Sequence, residues 1–289
     1  VEGGEITING GTFNVKTFGS TAIGAGTDLS NLVRTTELGR VKVGRGVLNV
    51  YGGTFNVESQ TSSTAEGIRS YGSTHVYDGT FNVQTKTSTA YGVCARDGET
   101  IIDGGTFNVT AGSNTAVGAS AWADDYNTDY GYYYTGDLTV KGGTFNVKTW
   151  NGEAAYGVQV RGTTKNFAAA KVVIGGVADT KKDYAIAGTA TINGGTFIMT
   201  PSNGTKAYST HVYTTQTLGT ATAYPTCYVK GGFFQTNGTT TSGMYVSALK
   251  ENNVVTGGHF SDNTGLTSTT ATKNYVNAPY AVLNCLHPE

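Results

Sequence analysis

The sequence predicts an all-β chain wound into a parallel β-helix (β-solenoid) of about 8–10 turns without large terminal caps. Three observations carry this prediction. One short motif returns along nearly the whole chain. Apolar and polar residues alternate with period two inside each copy. The composition suits strands: of 289 residues 42 are Gly and only 13% are charged, and Gly and Thr fit helices poorly whereas Thr, Val, Ile, Phe and Tyr favour strands. With 38% hydrophobic and 11% aromatic residues the chain has enough apolar mass to build a core, which excludes disorder. Nineteen Lys and Arg against 20 Asp and Glu leave a formal net charge of -1. That balance excludes a general nucleic-acid binder.

The motif fixes the elements in order. GGTFNV begins at Gly10, Gly52, Gly104 and Gly142, DGTFNV at Asp78, GGTFIM at Gly194, and worn copies at Gly231 (GGFFQT) and Gly257 (GGHFSD). The steps are 42, 26, 26, 38, 52, 37 and 26 residues. We take 26 as one coil, 38 and 37 as one coil plus an insertion, and 52 as two coils with Gly175-Gly176 marking a degraded copy. A first strand ends on a β-branched residue two positions before each copy: Ile8, Val50, Val76, Ile102, Val140, Ile192, Val229 and Val255. The Gly pair makes a corner. A second strand carries Phe13, Phe55, Phe81, Phe107, Phe145, Phe197, Phe234 and Phe260 inward, with Val15, Val57, Val83, Val109, Val147 and Met199 two residues on. Asn14, Asn56, Asn82, Asn108 and Asn146 lie between them and point outward.

A third strand begins about 12 residues after the Gly pair, reading AIGA at Ala22, AEGI at Ala65, AYGV at Ala90, AVGA at Ala116 and AYGV at Ala155. Its small residues and glycine suit a tightly bent part of the coil. Stacked in register, such coils put Phe on Phe and Asn on Asn along the axis. Coils spaced by about 4.8 Å give a rod on the order of 40–50 Å long. The whole chain, 1–289, reads as one domain. It carries an aromatic loop insertion near 121–137 and a C-terminal strand or cap segment at 264–289.

Repeats of the form (I/V)-x-G-G-T-F-x-V followed by small-x-G-(I/V), from Ile6 to Phe260, resemble those of clostridial and other Firmicute surface proteins. These include the right-handed parallel β-helix carbohydrate-binding family of cellulose-degrading clostridia. The resemblance implies an exported, wall-associated or matrix protein of a Gram-positive bacterium, with an extracellular or cell-surface location. In that family an acidic Asp-Gly pair associated with calcium often precedes the small-x-G strand. Here those places read Ala22-Ile23-Gly24 or Ala90-Tyr91-Gly92, without Asp.

No catalytic set emerges. Glycosidic hydrolysis on such a rod needs two carboxylates about 5–10 Å apart on neighbouring turns. The outward slot before the Gly pair reads Asn9, Tyr51, Tyr77, Asp103, Lys141, Asn193, Lys230 and Thr256, with one acid. The slot after the second strand reads Lys16, Glu58, Gln84, Thr110, Lys148 and Thr200. The chain is therefore read as a non-enzyme, with a pectin-type lyase or hydrolase the third choice. The insertion offers a sugar-stacking platform of Trp122, Tyr126, Tyr130, Tyr132, Tyr133 and Tyr134. Asp124, Asp125 and Asp129 are the candidate calcium ligands, although their spacing matches no calcium loop; no other cofactor is implied.

A second candidate surface is a basic-aromatic stripe of Tyr91, Tyr156 and Tyr208 with Arg69, Arg96 and Arg161, for which cross-strand tyrosine packing on a solvated face is the competing account. The four histidines, His75, His211, His259 and His287, share no metal-ligand spacing. Of Cys94, Cys227 and Cys285, Cys227 replaces an inward residue (compare Ile6, Leu48 and Leu138) and reads as a core filler. No run of about 18 apolar residues exists, so no membrane span is expected. Lacking an initiator Met or signal pattern at Val1, the sequence reads as a mature product or an excised domain.

Both rod ends are expected to be open rows of backbone groups: Ile6 and Ile8 at one end, Tyr280 and Val282 at the other. The functional expectation is a non-catalytic structural subunit that assembles head to tail with copies of itself into an extracellular fibre or matrix. The alternative is a cell-surface protein that binds plant or wall polysaccharide.

Overall fold

The computed structural model describes residues 4–27, 46–127, 132–166, 172–174, 177–179, 183–201, 206–214, 225–247, 253–262 and 266. Tyr280, Val282 and Cys285 lie outside these residues, as does the proposed strand or cap at 264–289 except for Leu266, which is 2% exposed and part of the core.

Every described element is a strand, and coils 1 to 7 have at least three each. Coil 1 comprises β1 (Glu5–Ile8), β2 (Thr12–Thr17) and β3 (Ala22–Gly26); coil 2, β4 (Val47–Val50), β5 (Thr54–Ser59) and β6 (Ala65–Ser70). Coil 3 comprises β7 (Ser73–Val76), β8 (Thr80–Thr85) and β9 (Ala90–Ala95); coil 4, β10 (Gly98–Ile102), β11 (Thr106–Ala111) and β12 (Ala116–Asn127). Coil 5 has β13 (Tyr132–Val140), β14 (Thr144–Thr149) and β15 (Ala154–Asn166), followed by β16 (Val172–Ile174), β17 (Val177–Asp179) and β18 (Asp183–Ala187). Coil 6 has β19 (Thr189–Ile192), β20 (Thr196–Pro201) and β21 (Lys206–Thr214). Coil 7 has β22 (Thr226–Val229), β23 (Phe233–Thr236) and β24 (Thr240–Ser247), and coil 8 has β25 (Val254–Val255) and β26 (His259–Phe260).

Like strands of successive coils pair in parallel, producing three ladders that run the length of the rod. This is the parallel β-helix expected. The second-strand ladder is the most regular, with Phe13 opposite Phe55, Phe55 opposite Phe81, and so on to Phe234 opposite Phe260. From Phe55 to Phe234 these rings are fully buried. All eight form one stack, with neighbouring centroids 4.6 to 4.9 Å apart and planes within 8° of parallel. On the outer side Asn56 Nδ2 donates to Asn14 Oδ1 at 2.8 Å, and the chain of amides continues through Asn82, Asn108 and Asn146 at 2.9 Å per step.

The first-strand ladder stacks Ile8, Val50, Val76, Ile102, Val140, Ile192, Val229 and Val255 in register. Beside them Cys227 is buried, as its slot predicts, and its backbone N–H donates to Asn253 Oδ1 at 2.8 Å. Between these ladders the second Gly of each pair turns the corner with φ between +95° and +139°, a region that side chains avoid. In the third-strand ladder a Cβ added at Gly67, Gly92, Gly118 or Gly157 would sit within 2.5 to 2.7 Å of a carbonyl oxygen on the next coil. That approach is what the small-x-G pattern provides for.

Corner lengths differ sharply. The first and second strands of a coil are always separated by three residues, and the second and third by three to five. The passage from a third strand to the next coil varies from two residues, as between Ser70 and Ser73, to twenty-two between Asn166 and Thr189, which include β16, β17 and β18. Nearly all length variation is thus placed along one edge of the rod.

Two expectations are corrected. The 52-residue step is one coil, because β14 pairs directly with β20 (Phe145 opposite Phe197) and β13 with β19. The extra residues build an antiparallel extension of β15 against β18 and a small β16–β17 hairpin. Gly175-Gly176 falls outside the described residues. The aromatic insertion near 121–137 is not a loop either. β12 runs on past its ladder to Asn127 and β13 returns antiparallel to it, pairing Asp124 with Tyr134, Tyr126 with Tyr133 and Asn127 with Tyr132. A segment rich in Tyr, with high strand propensity, continues the strand that leads into it.

Candidate functional site

Three surfaces carry chemistry. The first is the open face of coil 1. β1, β2 and β3 each pair with a strand of coil 2 and, among the described residues, with nothing on the other side. Phe13, whose counterparts in coils 2 to 7 are fully buried, is 37% exposed here, and Ile6 is 43% exposed. Ile8 and Val15 are partly buried beside them, and Phe18, on the corner after β2, is 70% exposed. Three of the exposed large apolar side chains therefore belong to this one coil.

The second surface is the outer side of the third-strand ladder. Glu66, Tyr91, Cys94, Val117 and Trp122 on β6, β9 and β12 lie outside the main core cluster, because strict alternation breaks at the glycine of each strand, yet all five are buried. Glu66 is enclosed completely and is held by Arg69, Nε to Oε2 at 2.5 Å and Nη2 to Oε1 at 2.8 Å, and by Arg96 Nη2 to Oε1 at 3.0 Å. Arg96 then reaches over the Trp122 ring at 4.3 Å, and Arg161, opposite Trp122 in register, stacks on it at 4.8 Å. Tyr91 meets the indole edge-on at 5.4 Å. Burial pushes the Tyr71 hydroxyl and the Cys94 thiol each up to about 12. A protonated thiol and a carboxylate shared by two guanidiniums are inert groups. This cluster works as a polar clamp across coils 2 to 5.

The arrangement decides between the two accounts of the basic-aromatic stripe. Arg69 and Arg96 are occupied by Glu66, and Tyr91 and Tyr208 are each only 6% exposed. The face is packed rather than open to a charged ligand. Trp122 is likewise enclosed between two guanidiniums at 8% exposure, so it presents no stacking surface to a sugar. For Tyr126, Tyr132, Tyr133, Tyr134, Asp124 and Asp125 the structure places only the backbone, in the β12–β13 hairpin, and Tyr130 and Asp129 lie outside the described residues. Among the described residues no group of three or more His, Cys, Asp or Glu is placed to hold a metal. No helix among them is long and apolar enough to cross a membrane.

The third surface is the exposed corner just before the Gly pairs. Tyr51 and Tyr77, 48% and 36% exposed, stack with centroids 4.3 Å apart and planes 3° from parallel. His75 covers Tyr77 at 3.8 Å and bonds through Nε2 to Asp103, which also pairs with Lys141 Nζ at 3.0 Å. Burial alone would raise the Asp103 carboxyl, but the hydrogen bonds from His75 and Lys141 hold it below the usual carboxylate range. The sequence showed Tyr51, Tyr77, Asp103 and Lys141 only as one outward column. Consecutive coils bring Tyr51 to Tyr77 and Asp103 to Lys141, 26 and 38 residues apart, and His75 to Asp103, 28 apart.

No protein-family model, curated protein or solved structure with which the chain was compared matches it.

Proposed function

We propose that the chain is a non-catalytic structural subunit that stacks end to end with copies of itself into an extracellular fibre or matrix. The carrying observation is the open face of coil 1, where Phe13 and Ile6 are exposed at the end of ladders that bury the same positions in later coils. The identity of the partner follows from the repeat. Coils bind one another by matching like with like, Phe on Phe and Asn on Asn, so the complement of this face is the far face of another such coil. An unpaired strand row is a template for added strands, and a heterologous contact between unlike ends propagates instead of closing. The location outside the cell rests on the likeness of the Gly-Gly-Thr-Phe repeats to those of surface proteins. The polysaccharide-binding alternative loses its anchor with the burial of Trp122.

The test is sedimentation velocity and negative-stain microscopy over a range of protein concentration. Wild-type protein is expected to form rods that lengthen with concentration. Phe13→Asp, at an end where no second ring among the described residues covers it, is expected to stay folded by circular dichroism and to remain monomeric. Wild-type protein that stays strictly monomeric at high concentration would defeat the proposal.

A further inference from the structure

The stacked pair at the exposed corner has a reactivity that the fold creates. Tyr51 and Tyr77 follow Val50 and Val76, which are in register, and the Tyr77 backbone N–H donates to Val50 O at 2.8 Å. The backbone therefore holds the two side chains on neighbouring coils with their rings in contact at 4.3 Å. His75 occupies the other face of Tyr77 at 3.8 Å, leaving the shared Tyr51–Tyr77 side turned to solvent. Among the described residues a second stacked tyrosine pair, Tyr156 and Tyr208, is wider at 5.6 Å, and Tyr208 is only 6% exposed.

We propose that Tyr51 and Tyr77 are a site of oxidative cross-linking, joined as dityrosine by a one-electron oxidant of the haem-peroxidase class acting with hydrogen peroxide. Each phenol loses one electron and its hydroxyl proton, giving two phenoxyl radicals whose spin density lies partly on the ring carbons ortho to oxygen. The radicals pair to form one carbon–carbon bond between ortho carbons. Each of those carbons then releases its hydrogen as a proton, and each oxygen regains one, as aromaticity returns. Two electrons and two protons leave in all, and one hydrogen peroxide takes them up to become two waters. Radical pairing normally waits on encounter. Here the partners are already adjacent, which turns a bimolecular step into an intramolecular one. The rings need only tilt from parallel, and both are partly open to solvent. The product is a covalent staple between coils 2 and 3, independent of whether subunits stack end to end.

The test treats the full chain, dilute and as an equal mixture of unlabelled and nitrogen-15-labelled protein, with a haem peroxidase and hydrogen peroxide. Tryptic peptides are then mapped by mass spectrometry. Cleavage at Arg45, Arg69 and Lys86 places Tyr51 in peptide 46–69 and Tyr77 in peptide 70–86. The expected product is one joined peptide, two hydrogens lighter than their sum, wholly light or wholly heavy, with the blue fluorescence of dityrosine. Tyr77→Phe keeps the ring stack and is expected to abolish this peptide. Tyr71→Phe, in the same tryptic fragment, is expected to retain it. The proposal is overturned if the joined peptide is absent while other tyrosines couple, if no dityrosine forms, if the joined peptide is a light–heavy hybrid, or if it persists in Tyr77→Phe.

Discussion

Replacing Phe107 with Ala should cost far more than the same change at Phe13, although both occupy the same slot of the repeat. Phe107 is fully buried, with Phe81 at 4.7 Å on one face and Phe145 at 4.6 Å on the other. Its neighbours cannot close the gap, because β8, β11 and β14 are tied by parallel ladders on both sides. Truncation of such a ring leaves a cavity and costs about 3–5 kcal/mol. Phe13 is 37% exposed and has one stacking partner, Phe55, so its loss should cost roughly 1–2 kcal/mol. The assay is urea unfolding of both variants at a concentration where the protein is monomeric, followed by far-ultraviolet circular dichroism. Hydrogen exchange locates the weakened coils, since stacked repeats need not unfold as one unit. Equal costs for the two variants would refute the view that stability is carried by rings sandwiched between neighbouring coils.

Three further outcomes follow from the same geometry. Gly118→Ala should destabilise by about 1–3 kcal/mol, because its Cβ would lie 2.7 Å from Gly157 O and 3.1 Å from Val147 Cγ2, whereas Gly10→Ala, with nothing within 4 Å, should be close to neutral; denaturant midpoints check both. His211 is driven down from 6.5 to about 4, first by burial and then by Lys206. The unfolded chain therefore takes up a proton near pH 6.5 that the folded chain refuses. This contribution is complete above pH 6.5 and is lost as pH falls toward about 4, with a slope of at most about 1.4 kcal/mol per pH unit, and His211→Gln should remove that part of the acid slope. Cys94 and Cys227 are fully buried, with thiols pushed up to about 12, so neither should be alkylated by iodoacetamide in native protein at pH 8, and both should react after denaturation.

The rod was legible in the sequence because its core is written in repeated letters. Phe, the flanking aliphatic residue and the corner glycine each occupy one slot per coil, and period-two alternation turns a slot into a direction. Length was a poorer guide than pairing. Fifty-two residues suggested two coils because it is a multiple of 26, yet only strand register tells a second coil from a hairpin grown on the first. The outward positions were the least readable. Glu66, Arg69, Arg96, Trp122 and Arg161 come from coils 2 to 5 and assemble as one cluster only after stacking, and the slot of Glu66 holds Ile23 and Tyr91 in the neighbouring coils, so no repeated residue marks it. Tyr91 was placed on the correct side of its strand but is enclosed, because alternation reports direction and not what lies over a face. Tyr51 and Tyr77 could have been paired from the sequence, since they are 26 residues apart in one slot.

The uneven corners bear on how such a chain can be altered. Two of the three bends are held to a nearly constant length, while the third accepts anything from two residues to the twenty-two between Asn166 and Thr189. Lengthening a connection costs only a slowly growing closure entropy, whereas one added residue at either constant bend would shift a strand and invert which of its side chains meet the interior. New segments, tags and protease sites therefore belong on a single side of the molecule, as on a keyboard where every key is hinged along the same rail.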